Sequence, residues 1–358
     1  MTDFLVKRDE LGEVRLDQSA TPEPGDGEAL LRVASFGLTA NNVTYGVFGE
    51  AMSYWDFFPA AERGWGRIPV WGFAEVERSE VDGVEPGTRV FGYLPPSSQL
   101  LLTPVAIDGA GFVDGSPHRA ALPSAYHRYL ATAADPFYAA GTEAVQMLLR
   151  PLFFTSFLLD DQLADDGLTA GGPIILASAS SKTALAAAFL LARRPEARLV
   201  GLTSPGNREF VEGLGVYSEV LAYDEVEKLP REPATYLDFA GDGALRVAVH
   251  SHLGDQLAAS LMVGMTHWDQ LGAGAGAELA GPEPAFFFAP DRVAKRGEDW
   301  GRETLDARVA EAWHPFCEWV GSWLEPIPGS GFEAVRDAYL DVLAGGVPPR
   351  RAHVLSLP

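Results

Sequence analysis

The sequence has a single cysteine, Cys317, among 358 residues. One thiol excludes an internal disulfide and any metal site built from several cysteines, and it fits a reducing cytoplasm, where we expect the protein. Within AWHPFCEWV we interpret Cys317 as a core thiol on an aromatic helix, with a nucleophilic role as the alternative. No uninterrupted apolar run approaches the roughly 20 residues that a membrane helix needs. The first residues, MTDFLVKRDELGEVRLD, carry charges throughout and are unlike a secretory signal.

Basic residues are also scarce, because 27 Lys and Arg stand against 49 Asp and Glu and give a formal net charge of −22. Such a surface repels nucleic acids and anionic lipids. The sequence therefore predicts neither a nucleic acid nor a membrane as a partner. An apolar content of 47% with 21% charged residues is typical of a folded globular protein, and the length favours two domains.

Glycine is missing from a turn where nucleotide-binding folds usually carry it. Residues 171–194, GGPIILASASSKTALAAAFLLARR, predict a buried strand that Pro173 begins, a turn of small side chains, and a helix from about Lys182. Such a unit directs backbone N–H groups and the positive end of the helix dipole towards an anion. We therefore predict a phosphate site here. Its hydroxyl groups could bind phosphate or only cap the helix; they belong to Ser178, Ser180, Ser181 and Thr183.

The same turn is not an ATP-hydrolysing P-loop. Lys182 and Thr183 match the end of that motif, but Leu176 and Ser181 occupy the two positions that require glycine. A lysine in the first turn of a helix opposes the helix dipole unless an anion lies near. Lys182 therefore indicates either a bound phosphate or an ordinary solvated side chain.

The hydrophobic period changes near Ala139. The preceding residues read as β-rich, with strands predicted within 28–38 and 67–95, whereas a helix around Pro151 leads into alternating strands and helices. We predict strands at Ile174–Ala177, Arg198–Thr203, Ser218–Ala222, Ala234–Ala240 and Gln256–Met265, with helices at Lys182–Arg194, Asn207–Leu214 and Ala244–His252. This order indicates an α/β fold with a parallel sheet. Later, AFFFAP reads as a strand, Arg302–Trp323 as a helix, and the last residues as a helix followed by a strand.

Several segments, in this order and spacing, resemble the medium-chain dehydrogenase/reductase superfamily, in particular its zinc-independent quinone oxidoreductase and enoyl reductase branch. They are PEPGDGEALLRVASFGLTANNV, VDGVEPGTRVFGY, ILASASSKTALAAAFLLAR, REFVEGLGVYSEVLAYDEV, YLDFAGDG and FEAVRDAYLDVLAGGVPPRRAHVL. The resemblance implies a GroES-like domain over 1–134 and 320–358 and a Rossmann-type doubly wound parallel sheet over 135–319. SASSKT and AFFFAPDRVAKRGEDWG resemble an uncharacterised branch of that superfamily.

The resemblance also implies that no catalytic zinc is bound. Zinc-dependent members hold the metal through cysteine, histidine and glutamate, but the matching positions here are Gly72, Phe73 and Ala74, and no cysteine precedes Cys317. These side chains cannot supply the three ligands that catalytic zinc needs. We therefore predict a zinc-independent protein without a metal site.

The resemblance implies a nicotinamide cofactor, and the residues favour NADPH. The second predicted strand ends at Thr203 and Ser204, where NAD-selective folds place a carboxylate. Arg208 could pair with a 2′-phosphate, and Tyr223 matches a tyrosine that holds this phosphate in relatives. Alternatively, Arg208 is an ordinary exposed residue. The other predicted cofactor-binding residues lie in the turn or at later strand ends: Lys182, Ala240, Gly241, Gly264 and Thr266.

In the family, a polar residue of the loop matching 38–46 approaches the nicotinamide. Asn42 matches a usual aspartate and Thr39 a usual asparagine. An amide is not a general base at neutral pH, so Tyr45, Tyr54 and His267 are the candidates for supplying a proton. The alternative is structural: Asn42 satisfies a turn, the tyrosines pack at an interface, and His267 is a satisfied loop residue.

We therefore expect an NADPH-dependent reductase that transfers hydride to an apolar enone, quinone or enoyl substrate. Two other classes stay open. One is a nucleotide-binding regulator or pseudoenzyme that retains the fold without chemistry, and the other is a non-redox lyase or decarboxylase on the same scaffold. Relatives commonly pair through the nucleotide domain, so a homodimer is a further expectation.

Overall fold

A computed structural model describes residues 1–264 and 278–358, which divide into two compact units. The first unit contains Met1–Leu148 and Leu324–Pro358, and the second contains Leu149–Trp323. The described strands are β1 (Thr2–Lys7), β2 (Glu10–Gln18), β3 (Ala29–Leu38), β4 (Trp65–Gly66), β5 (Val70–Ser79), β6 (Arg89–Leu94), β7 (Gln99–Leu102), β8 (Pro104–Asp108), β9 (Gly111–Asp114), β10 (Arg128–Ala131), β11 (Pro173–Ala177), β12 (Arg198–Thr203), β13 (Glu219–Ala222), β14 (Ala234–Asp238), β15 (Leu257–Met262), β16 (Ala285–Phe286), β17 (Glu325–Ser330) and β18 (Arg351–Ser356). The described helices are α1 (Ala40–Val47), α2 (Glu143–Asp165), α3 (Lys182–Leu191), α4 (Arg208–Gly213), α5 (Gly243–Leu253), α6 (Ala289–Trp300), α7 (Arg302–Gly321) and α8 (Phe332–Leu343).

The first unit is built on a largely antiparallel sheet with the order β17-β18-β3-β5-β6-β10-β9-β8, in which β7 also pairs with β3. A smaller sheet has the order β2-β1-β4. Strands β3 and β5 lie at the centre, and a side chain at Gly72 of β5 would not fit, because its Cβ would lie 2.3 Å from the carbonyl oxygen of Ser35. The C-terminal strand β18 joins this sheet by pairing antiparallel with β3.

The second unit is built on a parallel sheet with the described order β13-β12-β11-β14-β15-β16. Counted along the chain this is the order 3-2-1-4-5-6 of the doubly wound dinucleotide-binding fold. The order reverses between β11 and β14, which pair directly. In such sheets ligands bind beyond the carboxyl ends of the strands at this reversal. The loops after β11 and β14 are therefore the expected ligand-binding segments.

Helix α3 lies in the core of the second unit, since every residue from Ala184 to Leu191 is buried. A helix that is apolar on all sides must be covered on all sides. Part of the cover comes from α7, whose Phe316 and Trp319 contact the ring of Phe189. Cys317, on the same helix, is buried, and burial raises the pKa of its thiol to about 12, so its interpretation as a core thiol is confirmed.

The predicted α/β class is confirmed, and the alternation from β11 to α5 matches the prediction apart from a few residues at the element ends. Three segments differ from the prediction: residues 38–46, AFFFAP and β17. Residues 38–46, predicted as a loop, end β3 and form α1, because Thr39 and Asn42 close a capping box at its N-terminus. In AFFFAP only Ala285–Phe286 is strand.

After this short strand, Pro290 lies in the first turn of α6, a position that proline favours and that the strand prediction ignored. Strand β17 was not predicted either. It contains Pro326 and Pro328, which remove hydrogen-bond donors, and it tolerates them because it lies at the sheet edge. Within residues 1–264 and 278–358, no helix combines the length and the apolar character needed to cross a membrane.

Candidate functional site

The turn after β11 reaches its shape without glycine. Ser178 adopts a left-handed backbone conformation with a φ of 53°, which usually selects glycine or asparagine. The backbone N–H of Ser181 donates to the carbonyl oxygen of Ser178 at 2.8 Å and closes the turn. Ser178 also hydrogen-bonds through its backbone and its side chain to the Tyr223 hydroxyl. These hydrogen bonds stabilise Ser178 in the left-handed conformation, which serine adopts less readily than glycine or asparagine.

The hydroxyl of Ser180 is held from the neighbouring strand. Asn207 donates from Nδ2 to Ser180 Oγ at 3.1 Å, and Thr203 Oγ1 lies 3.3 Å from the same oxygen. Because Ser180 Oγ accepts, its own proton is left for a further acceptor. No described residue accepts a hydrogen bond from the backbone N–H of Ser180 or of Thr183. The turn thus presents several donors, as an anion site requires.

Ser181 and Lys182 begin α3. The side chain of Ser181 is the N-cap and accepts from the backbone N–H of Ala184 at 3.4 Å. Lys182 is half-buried, and burial lowers the pKa of its ammonium to about 8. Its charge is therefore present at neutral pH, at the positive end of the helix dipole, where an anion would stabilise it. Of the four hydroxyl residues predicted to bind phosphate, Ser181 has the clearest capping role.

The loop after β14 is organised by Asp238, which sequence reasoning missed. Its Oδ1 accepts from the backbone N–H groups of Ala240 and Gly241 at 3.0 and 2.9 Å, and its Oδ2 pairs with Arg246 at 2.7 Å. Asp238 is fully buried. The N–H groups of Ala240 and Gly241 are therefore hydrogen-bonded within the loop. The two residues can lie beside a cofactor, but their N–H groups are not available to bind it.

Arg208 forms ion pairs with two carboxylates. Its Nε lies 2.8 Å from Glu212 Oε1 and its Nη1 lies 2.9 Å from Glu225 Oε2. Glu225 also pairs with Lys228 at 2.5 Å, and these hydrogen bonds lower its pKa to about 2. A 2′-phosphate at this position would compete with Glu225 for Arg208, and Lys228 adds a second cation that the sequence prediction did not include.

The structure describes three other predicted cofactor-binding residues at this end of the sheet. Tyr223 is partly buried, and burial raises its pKa to about 12, so it remains a neutral partner of Ser178. Ser204 is half-buried at the end of β12. Gly264 donates its backbone N–H to the carbonyl oxygen of Asp238 at 3.2 Å. Thr266 and His267 lie outside the described residues, so both stay predictions.

In the first unit, Asn42 has a structural role. Its Oδ1 accepts from the backbone N–H of Thr39 at 2.9 Å, and its Nδ2 donates to the carbonyl oxygen of Pro69 at 2.9 Å. The side chain is buried and serves the N-terminal cap of α1. This arrangement is the turn-satisfying alternative raised from the sequence, and the catalytic role of Asn42 stays a prediction without direct support.

Tyr45 and Tyr54 are buried and lie with their ring centroids 4.6 Å apart. Trp71 donates from Nε1 to the Tyr45 hydroxyl at 3.3 Å. Burial raises the pKa of both tyrosines, so both hydroxyls keep their protons in the physiological range. Each can act as a hydrogen-bond donor, and neither is available as a base.

The positions that match zinc ligands in zinc-dependent relatives are part of the core. Phe73 packs with Phe91 and Met147, and Ala74 is fully buried. In residues 1–264 and 278–358, no three His, Cys, Asp or Glu side chains group in a way that could hold a metal ion.

The strand order, the turn after β11 and the antiparallel first unit define the two-domain fold of the medium-chain dehydrogenase/reductases, and the predicted resemblance is confirmed at the level of the fold. The structure of CurA from Vibrio vulnificus in complex with NADPH matches with a TM-score of 0.64 and 14% identity, over 100% of this chain and 99% of that chain. A mutant form of enoyl thioester reductase from Candida tropicalis matches with a TM-score of 0.59 and 14% identity, over 99% of both chains.

A third solved structure, the yhdH oxidoreductase from Salmonella enterica in complex with NADP, matches with a TM-score of 0.54 and 15% identity over the whole of both chains. Identities this low establish the fold alone. No curated protein matches the sequence at a significant level. The chain belongs to the family described as protein of unknown function (DUF2855), whose model matches residues 36–348.

Proposed function

We propose that this protein is an NADPH-dependent oxidoreductase. The observation that carries the proposal is the turn after β11, at the reversal point of the sheet. There, the hydroxyl proton of Ser180 and the backbone N–H groups of Ser180 and Thr183 have no acceptor among residues 1–264 and 278–358. A pyrophosphate is the ligand that this place in a doubly wound sheet usually receives. The structures of CurA with NADPH and of yhdH with NADP support the same cofactor.

The residues present fit this cofactor. The pyrophosphate would be held by Ser180, Thr183 and Lys182, and the 2′-phosphate by Arg208, whose Nη2 atom is not used by the ion pairs with Glu212 and Glu225. Bound NADPH would supply the hydride. We further propose an apolar enone, quinone or enoyl substrate, zinc-independent chemistry, a cytoplasmic location and a homodimer.

A titration of the purified protein with NADPH, followed by nucleotide fluorescence, tests the cofactor. We expect saturable binding in the micromolar range. An absence of binding of both NADPH and NADH at high micromolar concentration would overturn the proposal. Binding without turnover across a panel of quinones and enones would favour the regulator, which the structural role of Asn42 also suits.

Replacing Arg208 by alanine tests the selectivity for NADPH. We expect the Kd for NADPH to rise about tenfold, since one charge-assisted bond to phosphate is lost, while the Kd for NADH changes little. Arg198→Ala is the matched control, because this exposed arginine also pairs with a glutamate, Glu232, at the opposite end of β12. Equal losses for both nucleotides in Arg208→Ala would contradict a 2′-phosphate contact.

The ammonium of Lys182 predicts a pH dependence. Its pKa of about 8 means that the free protein loses this charge as the pH rises through 8, whereas bound phosphate favours the charged form. The affinity for NADPH should therefore fall about tenfold between pH 7 and pH 9. In Lys182→Met the affinity should be lower at pH 7 and nearly constant over this range. An unchanged pH profile in the variant would show that Lys182 does not contact the nucleotide.

A further inference from the structure

A group of four tyrosines lies in the core of the first unit, on separate segments of the chain. The ring centroids of Tyr45 and Tyr54 are 4.6 Å apart, those of Tyr93 and Tyr126 are 4.7 Å apart, and Tyr45 contacts Tyr93 edge to face at 5.7 Å. Tyr126 and Trp71 are half-buried, so the group reaches the protein surface. We call these four residues the tyrosine cluster.

The hydroxyl groups of the tyrosine cluster have more protons than acceptors. The Tyr45 oxygen accepts from Trp71 Nε1 at 3.3 Å and also bonds to the side-chain amide of Asn41, so its own proton is not used. Tyr54 and Tyr126 share one hydrogen bond, which uses one of their two protons. The hydroxyl of Tyr93 is buried and has no partner among the described residues.

Three phenolic protons therefore lack an acceptor among the described residues. Burial raises the pKa of all four tyrosines, so these protons are retained at neutral pH. Buried donors without acceptors cost free energy, and they occur in proteins mainly where water, an ion or a ligand completes the hydrogen bonds. The missing partner must accept hydrogen bonds, and several neighbouring donors favour a negatively charged oxygen as that acceptor.

We propose that the hydroxyls of Tyr45 and Tyr54 bind the carbonyl oxygen of a flat conjugated or aromatic substrate and stabilise it as an enolate or phenolate. Asn41, Trp71 and Tyr126 are positioning residues, because each fixes one tyrosine hydroxyl with its proton directed to the ligand. The role of this oxygen site in a reduction rests on the proposed function. Binding of the oxyanion itself needs no cofactor and transfers no atom.

The experiment uses 4-nitrophenol with the complete protein and no nucleotide. Its phenolate absorbs visible light and its neutral form does not, so one titration reports both binding and ionisation. At a pH where free 4-nitrophenol is mostly neutral, we expect the bound form to be ionised. Tyr45→Phe and Tyr54→Phe should each weaken binding about tenfold and return bound 4-nitrophenol towards its neutral form.

Tyr138→Phe is the matched control, because Tyr138 is a half-buried tyrosine of the same unit whose hydroxyl bonds to Glu143 instead. It should bind and ionise 4-nitrophenol like the parent protein. If Tyr45→Phe fails to fold, Asn41→Ala at a half-buried position tests the same hydroxyl and should reduce the ionised fraction.

No binding of 4-nitrophenol, or binding whose affinity and ionisation are the same in the tyrosine variants, would overturn the oxygen site and leave water as the missing acceptor. The NADPH titration is independent of this result. Loss of nucleotide binding with intact phenolate binding would refute the proposed function and not the oxygen site, and the reverse outcome would refute only the oxygen site.

Discussion

A Ser181→Asp variant is expected to fold like the parent protein and to bind NADPH about 100-fold more weakly. The stability is expected to hold because Ser181 is the N-cap of α3, where aspartate caps as well as serine and its charge suits the positive end of the helix. Binding is expected to weaken because the carboxylate would place a negative charge close to the negatively charged pyrophosphate. Two unit charges 4 Å apart interact by about 4 kcal/mol at an effective dielectric constant of about 20, more than the ~2.7 kcal/mol of a 100-fold change.

Ser181→Asn separates charge from shape in this experiment. Asparagine is also a good N-cap and is nearly isosteric with aspartate, but it adds no charge. The Kd for NADPH should stay within about threefold of the parent value in Ser181→Asn, and thermal melting of both variants should match the parent protein. If NADPH binds equally well to the aspartate and the asparagine variants, the cofactor does not occupy the turn after β11.

The turn itself could be predicted because its flanking segments carry strong local signals. Pro173 begins a strand of aliphatic residues, small side chains follow, and an apolar helix starts at Lys182, which is the observed order of β11, turn and α3. The left-handed conformation of Ser178 could not be predicted, because serine has no intrinsic preference for it. It follows from contacts with Tyr223, which is distant in sequence.

The first unit shows a similar limit for secondary structure. Residues 38–46 contain asparagines, a threonine and a glycine, a composition that predicts a loop. The same residues form α1 because Thr39 and Asn42 cap it reciprocally, and Val43 and Tyr45 bury its apolar side. The helix is predicted correctly when Thr39 and Asn42 are interpreted as a capping pair rather than as candidates for catalysis.

The partners of charged side chains were the least predictable part of the site. Arg208 was predicted to meet a phosphate, and nothing near it in sequence reveals that Glu225, 17 residues away, pairs with it at 2.9 Å. The tyrosine cluster has the same origin, since its members come from α1, β6 and two short 3₁₀ helices, Tyr54–Asp56 and Ser124–Tyr126. Sequence reasoning selected Tyr45 and Tyr54 singly, and tertiary packing makes them a pair.

Asp238→Ala is expected to destabilise the second unit by about 3 to 5 kcal/mol, the range for removing one partner of a buried ion pair. The carboxylate is fully buried, so its loss leaves Arg246 without its partner and the N–H groups of Ala240 and Gly241 without an acceptor. Urea unfolding measures the change as a fall in the midpoint concentration. NADPH binding should weaken as well, because this loop lies beside the turn after β11 at the reversal point of the sheet.

Two further variants show which bonds carry the effect. Asp238→Asn keeps an oxygen for Ala240 and Gly241 but loses the ion pair, so its stability should lie between those of the parent and the alanine variant. Arg246→Met combined with Asp238→Asn should be less destabilising than the sum of the single changes, by about 0.5 to 3 kcal/mol, because the pair no longer leaves one charge unmatched. A loss below about 1 kcal/mol in Asp238→Ala would contradict this role, since an average point mutation already costs about that much.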